Sequence, residues 1–119
     1  MKHHFSRKLP IDMFNKDEYL YRLVKLLVES YKPVKIYLFG SKAREDAKPE
    51  SDYDLLVVIE GKVSWSQRKK FSEKRWDTGL VEPTDIVLWT KSSFEDHLQL
   101  KASLPSTVVE EGVLLYEAA

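Results

Sequence analysis

At 119 residues, 43% of them apolar and 32% charged, the chain has room for one soluble globular domain that buries about two-thirds of its unfolded surface. Nineteen basic and nineteen acidic side chains cancel, so no overall field draws nucleic acid or an anionic membrane, and any polyanion must be held locally, by a metal or a few basic residues. The absence of cysteine excludes disulfides, thiolate metal sites and a cysteine nucleophile.

No segment offers the roughly 20 continuous apolar residues of a membrane helix, and the basic start from Met1 to Lys8 is not followed by an apolar stretch of the secretory type. A cytoplasmic protein with a single domain over 1–119 is expected, residues 1–12 forming a loosely ordered arm. The first helix is predicted from Asn15 or Lys16 to Tyr31. Leu20, Leu23, Val24, Leu27, Val28 and Tyr31 recur at helical spacing as a core-facing stripe, with Asn15 as the cap and Pro33 as the stop. Val34 to Phe39 reads as a strand closed by Gly40, with a short helix from Ser41 or Lys42 and a turn-rich loop over 47–51.

Tyr53 to Ile59 reads as a second strand, and its unbroken Leu-Leu-Val-Val-Ile run predicts burial on both faces. Ser64 to Thr78 is helical but weakly amphipathic, with Gly79 as its stop. Arg68, Lys69, Lys70, Lys74 and Arg75 are expected as a solvated face rather than a nucleic-acid patch, with Trp65, Phe71 and Trp76 leaning into the core. A further option for this segment is that it meets a protein partner or covers the acceptor site. Thr84 to Trp89 is a third strand, Ser92 with Glu95 marks a helix start, and Pro105 to Glu111 is a helix ended by Gly112. Val113 to Tyr116 is a closing strand, and His97 and the His3-His4 pair are expected at the surface. Alternating helices and strands make the fold α/β or α+β, a sheet covered by helices.

The chemistry-bearing residues sit at the joints between the first three strands. Asp52 and Asp54 lie two apart on an extended segment, so both carboxylates point to one side with Cα atoms roughly 6.5–7 Å apart. Like charges held so repel unless a cation lies between them, and magnesium takes hard carboxylate oxygens while leaving sites for phosphate. Gly40 lets backbone approach a ligand, and Ser41 offers a hydroxyl at a helix start where amides can meet an anion. Asp85 opens the third strand. Beside Asp52 and Asp54 it would complete a set of three carboxylates able to hold two magnesium ions about 4 Å apart, as phosphoryl and nucleotidyl transfer require. Taken alone, an Asp-x-Asp pair at a strand start is most often a turn or capping device.

Gly40-Ser41, ten intervening residues, then Asp52-Tyr53-Asp54 matches the signature of the nucleotidyltransferase superfamily that includes DNA polymerase beta and kanamycin nucleotidyltransferase. The text from Leu38 to Glu60 most resembles the minimal nucleotidyltransferases, small proteins that often act as antitoxins paired with HEPN-domain toxins. Pro83-Thr84-Asp85-Ile86-Val87 and Glu111 to Glu117 extend the resemblance to about Val34–Glu117. It implies a mixed sheet flanked by helices. It also implies nucleotide phosphates at Gly40 and Ser41, two magnesium ions on Asp52 and Asp54, and Asp85 as a ligand of the catalytic metal or acceptor of the incoming hydroxyl's proton. Arg44 matches a basic residue that pairs with phosphate, whereas Glu45 departs from the glycine usual after it.

The activity implied is transfer of a nucleoside monophosphate, AMP from ATP, to an acceptor hydroxyl, a tyrosine of a HEPN toxin being the acceptor expected. Two readings stand beside it: a non-catalytic module that neutralises a partner by occlusion, and a small-molecule enzyme of the aminoglycoside type. The latter usually carries a further domain for its acceptor. The short chain leaves the acceptor side open, which favours a protein substrate or a homodimer that completes the site. Neither a membrane nor direct nucleic-acid binding is expected.

Overall fold

A computed structural model describes residues 10–44 and 51–118. Along the chain run α1 (Pro10–Lys16), α2 (Glu18–Tyr31), β1 (Lys35–Phe39), α3 (Ser41–Arg44) and β2 (Tyr53–Ile59). They are followed by α4 (Trp65–Asp77), β3 (Thr84–Thr90), α5 (Lys91–His97), α6 (Leu104–Glu111) and β4 (Val113–Glu117). The four strands form one sheet in the order β3-β2-β1-β4. β1 pairs antiparallel with β2 and β4, while β2 and β3 run parallel through the α4 crossover. The sheet is mixed and carries helices on both faces.

Burial follows the two-residue period of the strands. Leu55, Val57 and Ile59 of β2 join Ile36, Leu38, Val113 and Leu115 in the larger core, roofed by Leu20, Leu23, Val24, Leu26 and Leu27 of α2 and Phe71 of α4. Leu56 and Val58 face the other way, into a smaller cluster with Tyr37, Phe94 of α5 and Val108 of α6. The apolar run of β2 is thus covered on both sides, as its sequence predicts. One register irregularity, between Ile36 and Tyr37 against β4, lets Leu115 and Tyr116 both serve the larger core. Gly112 turns α6 into β4 where a Cβ would press on the carbonyls of Val108 and Leu38.

Several boundaries differ from expectation, each for a local reason. Residues 10–12 belong to α1 rather than to an arm, and the rest of the expected arm, 1–9, lies outside the described residues, as do Glu45 and most of the 47–51 loop. Asn15 is inside α1 and cannot cap α2. Asp17 does so instead, with extended backbone and Oδ1 accepting from the Leu20 amide at 3.0 Å. At the other end Lys32 adopts the left-handed conformation and returns its amide to Val28, so the chain turns one residue before the buried Pro33.

β3 continues through Thr90, whose hydroxyl caps α5 in place of Ser92, now an exposed residue of the helix. His97 is half-buried, edge-on to Trp89 at 5.0 Å, rather than free at the surface. On α4 only Phe71 of the three aromatics enters the core. Trp65 and Trp76 are 74% and 75% exposed, because eleven residues are close to three full turns and put both on one outward stripe.

The cap assignment is open to direct measurement. Asp17→Ala should lower stability by about 1–2 kcal/mol in urea denaturation, whereas Asn15→Ala should change it by less than about 0.5 kcal/mol.

Candidate active site

The expected site residues converge at one end of the sheet. β1 ends at Phe39, paired with Asp54, and Gly40 turns the chain there with φ +75°. A Cβ on Gly40 would overlap Asp54 Oδ2, so glycine is required twice, by the left-handed backbone and by the carboxylate lying against it. Ser41 starts α3, a single turn whose Ala43 and Arg44 amides fold back on the Gly40 carbonyl at 3.1 and 3.2 Å. The Gly-Ser turn and the Asp-x-Asp strand, separated by ten residues in sequence, are therefore in contact.

Asp85 arrives from the other side. In the parallel β2–β3 pair Asp54 stands directly opposite Asp85, as Tyr53 does Thr84. Val87 and Trp89 share a face with Asp85, and Trp89 packs on the smaller core beside Leu56 and Val58, the residues on the Asp54 face. Both acids therefore project toward the layer of α5 and α6. Asp54 is half-buried, Asp52 and Asp85 are exposed.

The electrostatics report the same convergence. Burial raises the Asp54 pKa above the ordinary aspartate value; the negative charges of Asp85 and Asp52 raise it further, and Arg44 at the end of α3 partly offsets them. Among the described residues no three acids already form a metal-holding group. The donors nonetheless suit a hard divalent ion: carboxylate oxygens alone, two of them on exposed side chains free to turn inward, around one oxygen lodged against a glycine.

Tyr53, which reads in sequence as a spacer, points to the opposite face. Its hydroxyl donates to Asp17 Oδ2 at 2.6 Å, and its ring lies 4.9 Å from that of Tyr19. The Tyr19 hydroxyl in turn meets Thr84 Oγ1 at 3.0 Å. Burial and the Asp17 bond push the Tyr53 hydroxyl well above the usual phenol range. Lys42 of α3 lies over the Tyr53 ring, its ammonium 4.4 Å from the centroid. Arg75 is engaged as well, donating to the Leu80 carbonyl at 2.6 Å and the Glu82 carbonyl at 2.9 Å, which braces the entry to β3. The only sequence signal for this layer is the alternation itself, which sends residue 53 away from 52 and 54.

The nucleotidyltransferase domain model matches residues 20–115, from α2 through β4. The chain belongs to the nucleotidyltransferase family. No curated protein matches it in sequence. Among solved structures it resembles a toxin–antitoxin bound to AMP-PNP, at 24% identity and a TM-score of 0.55, over 82% of this chain and 73% of that one. It also resembles a variant of the MntA-HpeT toxin–antitoxin, at 21% identity and a TM-score of 0.53, with the same two coverages. A candidate nucleotidyltransferase from Sulfolobus solfataricus matches at 19% identity and a TM-score of 0.53, over 93% of this chain and 89% of that one. At these identities the likeness establishes the fold, and the span that the family model matches includes the Gly-Ser turn and the three aspartates.

A raised carboxylate pKa has a definite sign for stability. Asp54 binds its proton more tightly folded than unfolded, so its ionisation costs stability as pH rises from the unfolded value through the folded one. Asp54→Asn should therefore raise Tm at pH 7 in magnesium-free buffer, with the gain shrinking as pH falls through the raised Asp54 value and gone below the ordinary aspartate range. Differential scanning calorimetry across pH measures it.

Proposed function

We propose that this nucleotidyltransferase moves AMP from ATP to a hydroxyl of a protein partner, a tyrosine of a HEPN-type toxin, and so acts as an antitoxin. The observation that carries the reading is the contact of three elements at one point: Asp54 opposite Asp85, with the Gly40 turn seated on the Asp54 carboxylate. That arrangement sets a phosphate-binding turn beside a carboxylate set, which is what a nucleoside triphosphate with divalent cations needs. The resemblance to a toxin–antitoxin that binds AMP-PNP supports both the nucleotide and the setting. A reaction supplied by ATP fits the cytoplasm, and no described helix is long and apolar enough to cross a membrane.

In this reading Gly40 and Ser41 receive the phosphates and Arg44 adds positive charge at the end of the same turn. Asp52, Asp54 and Asp85 would hold two magnesium ions, which when bound supply Lewis acidity toward the attacking hydroxyl and the departing pyrophosphate. The acceptor oxygen forms a bond to the α-phosphorus while the bond from that phosphorus to the bridging oxygen breaks. Pyrophosphate leaves, and the hydroxyl proton passes to Asp85 or to water. Asp85 is suited to this place because it is exposed, while Asp54 is wedged against the turn.

Replacing both Asp52 and Asp54 by Asn should reduce transfer of label from α-labelled ATP to a co-purified HEPN-type partner by about 10²-fold or more, with an unchanged circular dichroism spectrum. Continued labelling by that double variant would overturn the mechanism. Protection of cells by an unlabelled complex would instead support neutralisation by occlusion.

A further inference from the structure

Nucleotidyl transfer uses Asp52 and Asp54 but gives no task to the residue between them or to the lysine after Ser41. The structure joins these two. Residues 53 and 54 of β2 hold the α3 turn from opposite faces of the strand: the Asp54 carboxylate lies against Gly40, and the Tyr53 ring lies beneath Lys42, 4.4 Å from its ammonium. We propose that Lys42 and Tyr53 form a clamp that fixes the phosphate-binding turn on the carboxylate strand, making both positioning residues for the nucleotide. The proposal rests on the nucleotidyl-transfer reading of the site.

A one-turn helix has little stability of its own, since nucleation costs more than a single turn returns. It needs anchors from the fold. Ala43, packed on the larger core, is one, and the Lys42 contact is the second. Tyr53 is a firm base for it. Its hydroxyl is fixed by Asp17 at 2.6 Å, and Asp17 is fixed as the cap of α2, a helix with six buried residues. Tyr19 flanks the ring at 4.9 Å and is itself bonded to Thr84 in the strand that carries Asp85. A rigid path therefore runs from the α2 cap through Tyr53 to the turn, with a branch to β3.

The placement of Lys42 also speaks against direct phosphate contact. Tyr53 faces the α2 layer, whereas Asp54 and Asp85 face α5 and α6, so the ammonium over the Tyr53 ring is drawn away from the carboxylates. A cation over an aromatic face is held by the ring quadrupole, a contact that arginine can replace and methionine cannot. Phenylalanine at 53 would keep the ring and lose only the Asp17 bond.

The test is a double-mutant cycle on the full chain, read as the dissociation constant of a non-hydrolysable ATP analogue with magnesium by calorimetry, alongside KM and kcat for labelling. Lys42→Met and Tyr53→Leu should each weaken nucleotide binding about tenfold, and the double variant should be no worse than either single one. Lys42→Arg and Tyr53→Phe should recover most of the affinity, and kcat at saturating ATP should fall much less than KM rises. Lys42→Met changes a partly exposed side chain and keeps the test decisive if Tyr53→Leu fails to fold. Additive losses would mean that Lys42 acts on phosphate independently, and unchanged affinity in Lys42→Met would mean no clamp; either overturns the proposal. Wild-type protein that labels its partner while Lys42→Met behaves like it defeats the clamp alone. Wild-type protein that binds no nucleotide defeats the site reading and the clamp together.

Discussion

The structure depends on the alternation of β2. One strand, hydrogen-bonded to β1 on one side and β3 on the other, sends successive residues to opposite layers. From Leu55 onward both layers are apolar, and the alternation divides the core in two. At Tyr53 and Asp54 the same alternation separates support from chemistry: one residue is tied into the α2 side, while the next faces the carboxylates. A register slip of one residue would exchange the two and place a carboxylate in the larger core. The run from Leu55 to Ile59 is apolar on both faces and would tolerate the exchange. It is the cost of burying that carboxylate without a partner that opposes the slip and fixes the geometry of the site.

That geometry carries an electrostatic cost. No described charged or polar residue is buried, yet Asp54 is half-buried beside two other acids, with Arg44 the one cation among the described residues that lowers its pKa. A fold selected for stability alone has no reason to align Asp54 with Asp85 across a parallel pair. The repulsion is of the kind a divalent cation and its nucleotide would relieve, converting a strain in the free protein into affinity for the ligand. Gly40 allows the closest approach, because any side chain there would displace the Asp54 oxygen.

Much of this could be read from the chain because it is written locally. Gly40-Ser41 and Asp52-Tyr53-Asp54 sit at the ends of apolar runs, and the runs themselves identify β1, β2 and β3. Asp85 was legible as the head of a third such run, although its pairing with Asp54 required the parallel register. The layer behind the site was not legible, since the Tyr53–Asp17 bond joins residues 36 apart and no pattern in either neighbourhood announces it. Caps were misplaced where several polar residues compete. Asn15 and Asp17 are both good caps, and the choice falls to the residue that α1 does not already use. Thr90 displaced Ser92 because β3 runs straight into α5. On α4 the charges outnumber the apolar residues, so helical period alone could not assign the tryptophans to a side.

The parallel crossover has a kinetic consequence. β1 and β2 meet through the shorter connection, whereas β2 and β3 meet only after all of α4 and its flanking turns have been laid down, so the β2–β3 pair closes the longer loop. The acidic cluster is completed by that later closure, with the repulsion at its open end working against it. Asp85 lies near the start of an edge strand whose entry is held by the Arg75 and Tyr19 hydrogen bonds, with Leu80 the buried apolar anchor ahead of it. As an edge strand less buried than the Leu55–Ile59 run, β3 is of the kind that opens locally before the core does. An opening at that end would part Asp85 from Asp54 while the rest of the molecule stays folded.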